Sequence, residues 1–535
     1  MPCVVRVSFR EGPLGHKSRL ADKIGGNPLL WWTLKKAASM KNVSQVFILA
    51  DGVEARRAVQ TAGGLPVEII EHGVQAGPAR RRFIRLRKWA LNSWQGGIAN
   101  ASIFGEDLDP AGMLAVAKKT RSDFVMKLSA YGPLADDDFT GKMAEDLDAR
   151  LPLKLSNSPP GLAAEIYSLD ILKKMLNARG GIEGLLQYDL GGLKSAPMPE
   201  PSTMAYFALA SQDVAFTRTR FLGDTARSFA LLESLYEKFG SEWISKGADE
   251  IVRAYSADTG LRRWKYPREV EFEISTSATA SSPARRALGQ RTQAFMEPET
   301  LHAALDSLKE ADDLCVTLGG YGDPLAHPDL PAILDAAAGA FGIHLHTDGA
   351  LLDDAKIELL SKSAVDIITV AIDAATEESF KRQRGGGSLA EHTEKMRSLA
   401  AACRPDGPFV VPSFTATQST LAEQEQFFRT WYPDVGWVVA KRLDDIAGLI
   451  REDVPLPLTL GKRGICEHLL ERLFVHADGR TAACAQDVKC EHPLGGRTPA
   501  EAWNSPQMKE LISAHERREY GCFAPCARCN RWCSW

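Results

Sequence analysis

Seven of the ten cysteines lie within residues 466–535, and no other feature restricts the folding of this chain as strongly. Cys466, Cys484, Cys490, Cys522, Cys526, Cys529 and Cys533 are close enough in sequence that something must gather them. In a reducing compartment such clustering favours a metal over disulfides. The opposite end of the chain fits that compartment. Met1 leads straight into the apolar run CVVRVSF, with no basic segment before it and no small-residue cleavage site behind. That reads as a first β-strand rather than a signal peptide. Apolar stretches stay well short of the roughly eighteen residues a membrane span needs, so a cytoplasmic protein without a span is expected. Cys3, Cys315 and Cys403 stand apart among apolar neighbours and are expected in the core.

A length of 535 residues calls for more than one domain. With 44% hydrophobic and 25% charged residues the composition is globular, and a net charge of −4 argues against nucleic acid as a partner. The basic run ARRRFIRLRKW (79–89) therefore reads as a solvated helix face. Residues 1–195 alternate β-rich runs (CVVRVSF, VSQVFILADG, VEIIEHG, DFVMKLSA, AAEIYS) with helical stretches, the pattern of an open α/β sheet. Residues 196–267 open with the Pro-rich APMPEPS and continue as amphipathic helix, as in TARSFALLESLYEKFG; they are read as a helical linker.

From residue 268 the strand pattern restarts. EVEFEIST alternates with period two, which places Val270, Phe272 and Ile274 on one face. DLCVTLGG, GIHLHTDG, VDIITVAID, FVVPSFTAT and VGWVVAKRL follow, with a helical stretch in each interval. Six β-then-α units in series predict a parallel sheet with helical crossovers over 268–455, curled into a partial barrel. Ligands of such sheets sit at the carboxyl ends of the strands.

This stretch resembles the radical SAM superfamily, in which the first strand runs into a CxxxCxxC loop holding a [4Fe–4S] cluster that binds S-adenosylmethionine. The corresponding frame here is EISTSATASSPARR, which puts Ala278, Ser282 and Arg285 at the three cysteine positions. Alanine has no donor atom and arginine no acceptor, so the resemblance implies a barrel unable to cleave S-adenosylmethionine. Other elements of the pattern survive. Gly322-Asp323-Pro324 resembles the GEP segment that receives the amino group of S-adenosylmethionine. HTDGALLDD resembles the turn after the third strand, with Asp348 in place of asparagine, and Asp373, Arg384 and Gly385 resemble the next strand end and its downstream Arg-Gly. Asp323, Asp348 and Asp373 are the candidates for a residual ligand pocket; strand ending and turn formation alone also account for them.

The cysteine-rich segment 456–535 resembles the SPASM modules that follow radical SAM barrels. CEHLLERLFVHADGRTAAC matches their C-x(9–15)-G-x(4)-C opening, and CAQD, PLGG, AEAWNSPQMKEL and APCARCNRW follow in the family's order. The resemblance implies one [4Fe–4S] cluster on Cys466, Cys484, Cys526 and Cys529. Cys490, Cys522 and Cys533 are second choices, as alternative ligands, a second incomplete site or free thiols. Four thiolates also suit structural zinc. Asp478 and Gly479 read as turn residues between two strands.

Residues 1–140 resemble the sugar-nucleotide cytidylyltransferases. KSRLADKIGGNPLLWWTL supplies Ser18, Arg19, Leu20, Lys23, Pro28 and Leu29 of their phosphate-cradling loop and helix start, and FILADG resembles their ATD segment. That makes Ser18, Arg19 and Lys23 candidate contacts to a nucleotide. The family's Mg²⁺-binding aspartate is replaced by Tyr131 in LSAYGPLAD, with Asp136 and Asp137 nearby as substitutes. The whole arrangement resembles the spirochaete spiro-SPASM family. Two functions are expected from it. One is an iron–sulfur protein without radical catalysis, whose cluster serves structure, electron transfer or recognition of an active partner enzyme or electron carrier. The other is a cytidylyl transferase acting on sugar nucleotides in cell-envelope metabolism. No catalytic residue is assigned.

Overall fold

The computed structural model describes residues 1–72, 85–89, 106–147, 153–177, 207–278, 280–289, 291–404, 406–455 and 463–533. They form two compact units, Met1–Arg262 and Arg263–Trp535. No described helix is long and apolar enough to cross a membrane. Most of the basic run 79–89 lies outside the described residues, as does the first part of the expected linker.

In the first unit nine strands are described: β1 (Pro2–Arg6), β2 (Lys23–Ile24), β3 (Asn27–Pro28), β4 (Gln45–Ala50), β5 (Val67–Glu71), β6 (Phe124–Ser129), β7 (Leu153–Ser156), β8 (Glu165–Ser168) and β9 (Phe207–Ala208). Seven make one sheet in the order β5-β4-β1-β6-β8-β7-β9, and β2 and β3 form a separate hairpin. The four strands on the β5 side run parallel, while β8 turns antiparallel against β6. Residues 207–262 depart from the expectation of a linker. β9 pairs with β7, and Phe221, Leu232, Leu235, Trp243 and Ile251 are buried in one core with Val5, Ile48 and Met126. The amphipathic stripe of helix Ala226–Phe239, opened by a capping box from Thr225 and Ser228, finds its partner on this unit's own sheet.

The second unit carries the six expected strands: β10 (Glu269–Phe272), β11 (Cys315–Leu318), β12 (Gly342–Thr347), β13 (Ile367–Ala371), β14 (Phe409–Ala416) and β15 (Val439–Arg442). They lie side by side in sequence order, all parallel. The cysteine-rich segment is not a separate appendage. Its hairpin, β16 (Arg472–Val475) and β17 (Thr481–Ala482), extends the sheet, with β16 parallel to β10 and Glu269 opposite Arg472. Gly479, at φ 82°, turns that hairpin, and Asp478 caps the turn by accepting from the Arg480 amide. Val270, Phe272 and Ile274 are buried together as the alternation predicts, and one core runs from them through to Trp503, Met508 and Cys526. Cys3, Cys315 and Cys403 are buried.

The opposite face of the sheet is unusually polar. Parallel strands covered on both faces normally read as continuous apolar runs. Here Glu271, Thr317, His344, His346 and Thr369 interrupt them. His344 sits between Thr317 and Thr369, with its ring nitrogens 3.3 and 2.8 Å from their hydroxyls.

Candidate functional site

The loops at the carboxyl ends of β10–β14 bring the expected acidic residues together. Gly322 passes so close to the chain beyond β10 that a Cβ there would stand 1.8 Å from the Ser275 carbonyl oxygen, which only glycine permits. Asp323, completely buried, accepts hydrogen bonds from the Leu325 amide (2.8 Å), the Thr347 hydroxyl (2.9 Å) and the Asp348 amide (2.9 Å). It therefore ties the β11 loop to the end of β12. Asp348 faces two guanidinium groups, Arg285 at 2.5 Å and Arg384 at 3.5 Å. Arg384 is delivered by helix Glu377–Arg384, which Thr376 and Ser379 cap and Gly385 stops at φ 75°. It also donates to the carbonyls of Ala371 (2.6 Å) and Asp348 (2.5 Å). Asp373 adopts a left-handed backbone at φ 60° and accepts from the Thr415 amide at 2.7 Å.

Burial, and then the charge of Asp348, pushes the Asp323 carboxyl up to about 7. Burial opposes the charge of Asp348 as well, but Asp323, Arg384 and Arg285 together hold it down at about 2. The two carboxyls titrate as a pair, with Asp323 pushed up and Asp348 held down. Asp348 and Asp373 line a cavity of about 760 Å³ together with Arg285, Arg384, His346 and Lys441. Asp323 lies outside that lining, spent on the turn.

Of the three residues that the sequence reading sets at cysteine positions, Ser282 caps helix Pro283–Leu288 by accepting from the Arg285 amide at 3.3 Å. The Arg285 side chain donates to the carbonyls of Tyr321 and Ala280, both at 3.0 Å, besides pairing with Asp348. A methyl group, a hydroxyl committed to a helix cap and a fixed cation do not fit an iron–sulfur cluster, which thiolates hold.

The C-terminal cysteines present a different donor set. Cys466, Cys484, Cys526 and Cys529 line one cavity of about 100 Å³. Backbone amides point at their sulfurs: the Gln486 N–H donates to Cys484 Sγ and the Arg531 N–H to Cys529 Sγ, each at 3.3 Å. Burial pushes the Cys484 thiol up to about 12 and raises those of Cys466, Cys526 and Cys529. Among the described residues no three His, Cys, Asp or Glu side chains close on one point as ligands of a single metal ion would. Cys490 is buried and Cys522 exposed, and neither lines this cavity. The side chain of Cys533 is outside the described residues. Glu271, His468, Arg472, Ala485 and Arg531 wall both the cysteine cavity and the larger one. Tyr321 spans the same region, its hydroxyl donating to the Ala485 carbonyl at 2.8 Å. None of these shared residues stood out in the sequence. The signal present was the polar face of the strands, with Glu271 and His346 at positions where a doubly covered strand carries apolar side chains.

In the first unit the Ser18 hydroxyl lies 2.8 Å from that of Tyr131, which is buried. Arg19 pairs with Asp22 at 3.4 Å, and Lys23 is exposed. The aspartates considered as replacement metal ligands serve the backbone. Asp136 caps helix Asp137–Glu145 and accepts from the Ala248 amide at 2.6 Å, and Asp137 accepts from the Lys41 amide at 3.0 Å. A buried Arg220, 2.5 Å from both Glu106 and Asp224, was not anticipated.

Residues 278–417 match the family model of the radical SAM superfamily. Over 320 residues the chain is 23% identical to an uncharacterized protein of Treponema pallidum (strain Nichols), covering 55% of this chain and 82% of that protein. Over 140 residues it is 26% identical to the mycofactocin maturase MftC of Mycobacterium ulcerans (strain Agy99), covering 26% and 37% of the two chains. Among solved structures it is similar to Streptococcus suis SuiB bound to its precursor peptide SuiA, with a TM-score of 0.40, 10% identity and 50% and 72% coverage. It is also similar to a cytidylyltransferase from Leptospira borgpetersenii, with a TM-score of 0.34, 14% identity and 49% and 94% coverage. The C-terminal half of this chain carries a radical SAM domain.

Proposed function

We propose that this is an iron–sulfur protein of the radical SAM/SPASM type, with one [4Fe–4S] cluster on Cys466, Cys484, Cys526 and Cys529 and a barrel that no longer cleaves S-adenosylmethionine. The observation that carries the reading is a contrast between two donor sets in one unit. Four cysteines line a single cavity, whereas the barrel positions hold Ala278, Ser282 and Arg285, the last locked onto Asp348. Amides directed at Cys484 and Cys529 suit sulfurs that carry charge. Four thiols around one cavity suit a multi-iron cluster and a structural zinc alike, and the metal content separates them. When bound, such a cluster supplies structural bracing or one-electron transfer. The chain's own residues hold it, and Arg531 separates it from the larger cavity. The arrangement follows the spiro-SPASM pattern, and an electron carrier or an active partner enzyme is the expected companion. Nucleotidyl transfer by the first unit is the weaker reading, because Tyr131 occupies Ser18 and the neighbouring aspartates serve the backbone.

Anaerobic purification followed by iron, sulfide and zinc analysis tests this. One cluster gives about four irons and four sulfides per chain, with a brown absorption lost in Cys526→Ala/Cys529→Ala. About eight irons would mean a second cluster, in the barrel or on Cys490, Cys522 and Cys533. Zinc without iron would leave a structural clamp only.

A further inference from the structure

We propose that the 760 Å³ cavity at the carboxyl ends of β10–β15 binds a small molecule bearing a phosphate group. Its volume falls within the range of about 300–1,000 Å³ usual for small-molecule sites. Its charge is what selects the ligand. Six arginine or lysine side chains line it against four carboxylates, in a chain whose net charge is −4.

The carboxylates are largely committed. Asp348 is matched by Arg285 and Arg384, Asp373 accepts from the Thr415 amide, and Asp444 pairs with Arg531 (3.3 Å) and accepts from the Gln486 side chain (2.6 Å). Several cations are not committed in the same way. The Lys441 side chain makes no hydrogen bond or ion pair among the described residues. Arg442 donates to the Pro455 carbonyl, which carries no formal charge, at 2.5 Å. Into the same space faces His346, whose buried Nε2 has no hydrogen-bond partner among the described residues. A lysine, an arginine and an unspent imidazole nitrogen around one cavity call for a compact group with several acceptor oxygens and more than one negative charge. A phosphate monoester provides both. The sulfonium of S-adenosylmethionine is the opposite in sign, and Arg285 stands as a fixed cation at the third cysteine position. This assignment does not depend on whether the cysteine cavity is loaded.

Binding is read by calorimetry on the full-length chain at fixed ionic strength, with inorganic phosphate and phenyl phosphate as probes and citrate and S-adenosylmethionine as contrasts. Both phosphate probes are expected to bind, and Lys441→Glu to weaken them by at least about tenfold through reversal of a facing charge. Lys441 is exposed, so this variant keeps its fold. Lys362→Glu, a reversal on an exposed helix end, should change nothing and controls for general electrostatics. Equal weakening by both variants would overturn the proposal. So would absence of phosphate binding, tighter binding of citrate than of phenyl phosphate, or S-adenosylmethionine binding at least as tightly as the phosphates. Iron content measured on the same samples keeps the outcome separate from the state of the cysteine site.

Discussion

The Arg285 guanidinium lies 2.5 Å from the Asp348 carboxylate, and in the sequence both residues read as departures from the radical SAM pattern. An arginine stands where the third cysteine is expected, and an aspartate where an asparagine is expected. The two replacements form an ion pair, in which Asp348 also faces Arg384 at 3.5 Å. In the first unit Tyr131, which the sequence reading sets where a metal-binding aspartate is expected, shares a hydrogen bond with Ser18 of the expected phosphate loop.

Arg285→Ala is therefore expected to destabilise the second unit. Breaking a buried pair costs about 3–5 kcal/mol. Arg384 remains 3.5 Å from Asp348 and softens the loss, so about 2–3 kcal/mol is expected. Arg285→Ala combined with Asp348→Asn should lose less than the sum of the single changes, because the neutral amide no longer needs the cation. Denaturant unfolding of the four proteins measures the coupling, and additive losses would show the pair to be energetically idle.

The Asp323–Asp348 pair makes stability depend on pH in both directions. Asp323 is raised to about 7, so the folded chain retains a proton that the unfolded chain releases near 4. Its contribution is fully present below about pH 4 and is lost as pH rises through 7. Asp348, held at about 2, contributes above about pH 4 and loses that contribution as pH falls towards 2. Asp323→Asn should flatten the decline in stability between about pH 4 and 7. An unchanged slope in melting experiments across that range would show that Asp323 is ionised throughout.

Much of the second unit was legible because its strands are short, apolar and separated by helical stretches, so DLCVTLGG through VGWVVAKRL could be placed in order. What could not be read was the parallel pairing of β16 with β10. RLFV carries no mark of its neighbour, and a contact across some two hundred residues leaves no local pattern. The four cysteines of the common cavity were legible from their motif, whereas Lys441 and Arg531 were not. A lone basic residue on a strand looks the same whether it meets water or a cavity. The supposed linker misled for a related reason: an amphipathic helix shows that it has a partner without showing which sheet provides it.

Tyr131 provides the test of the first unit. CTP, if bound at all, is expected to bind no more tightly with Mg²⁺ than without it, because a buried tyrosine hydroxyl bonded to Ser18 is not a carboxylate ligand. Tyr131→Phe should cost about 1 kcal/mol, the loss of one partly buried hydrogen bond. Tightening of CTP by Mg²⁺ in the unaltered chain would restore nucleotidyl transfer as the leading function.

Trp503 joins the cysteine-rich segment to the start of its unit. It is completely buried, its indole N–H donates to the Trp264 carbonyl at 2.9 Å, and the Arg263 guanidinium stacks on its ring at 4.1 Å. Asn504 continues the clamp by donating to the Lys265 carbonyl at 3.0 Å. Trp503→Ala removes the ring and leaves a cavity in the core that also contains Cys526, at an expected cost of about 3–5 kcal/mol. Trp503→Phe keeps most of the buried area and forfeits mainly the indole hydrogen bond, about 1 kcal/mol. Differential scanning calorimetry should show the second unit melting earlier in both variants, much more so for alanine, with the first unit unmoved. Iron content should fall with the alanine variant and hold with phenylalanine, since Trp503 shares a core with Cys526 without lining the cysteine cavity. If the alanine variant melts normally, the clamp is dispensable, and the sheet pairing of β16 with β10 and the rest of the shared core hold the cysteine-rich segment in place.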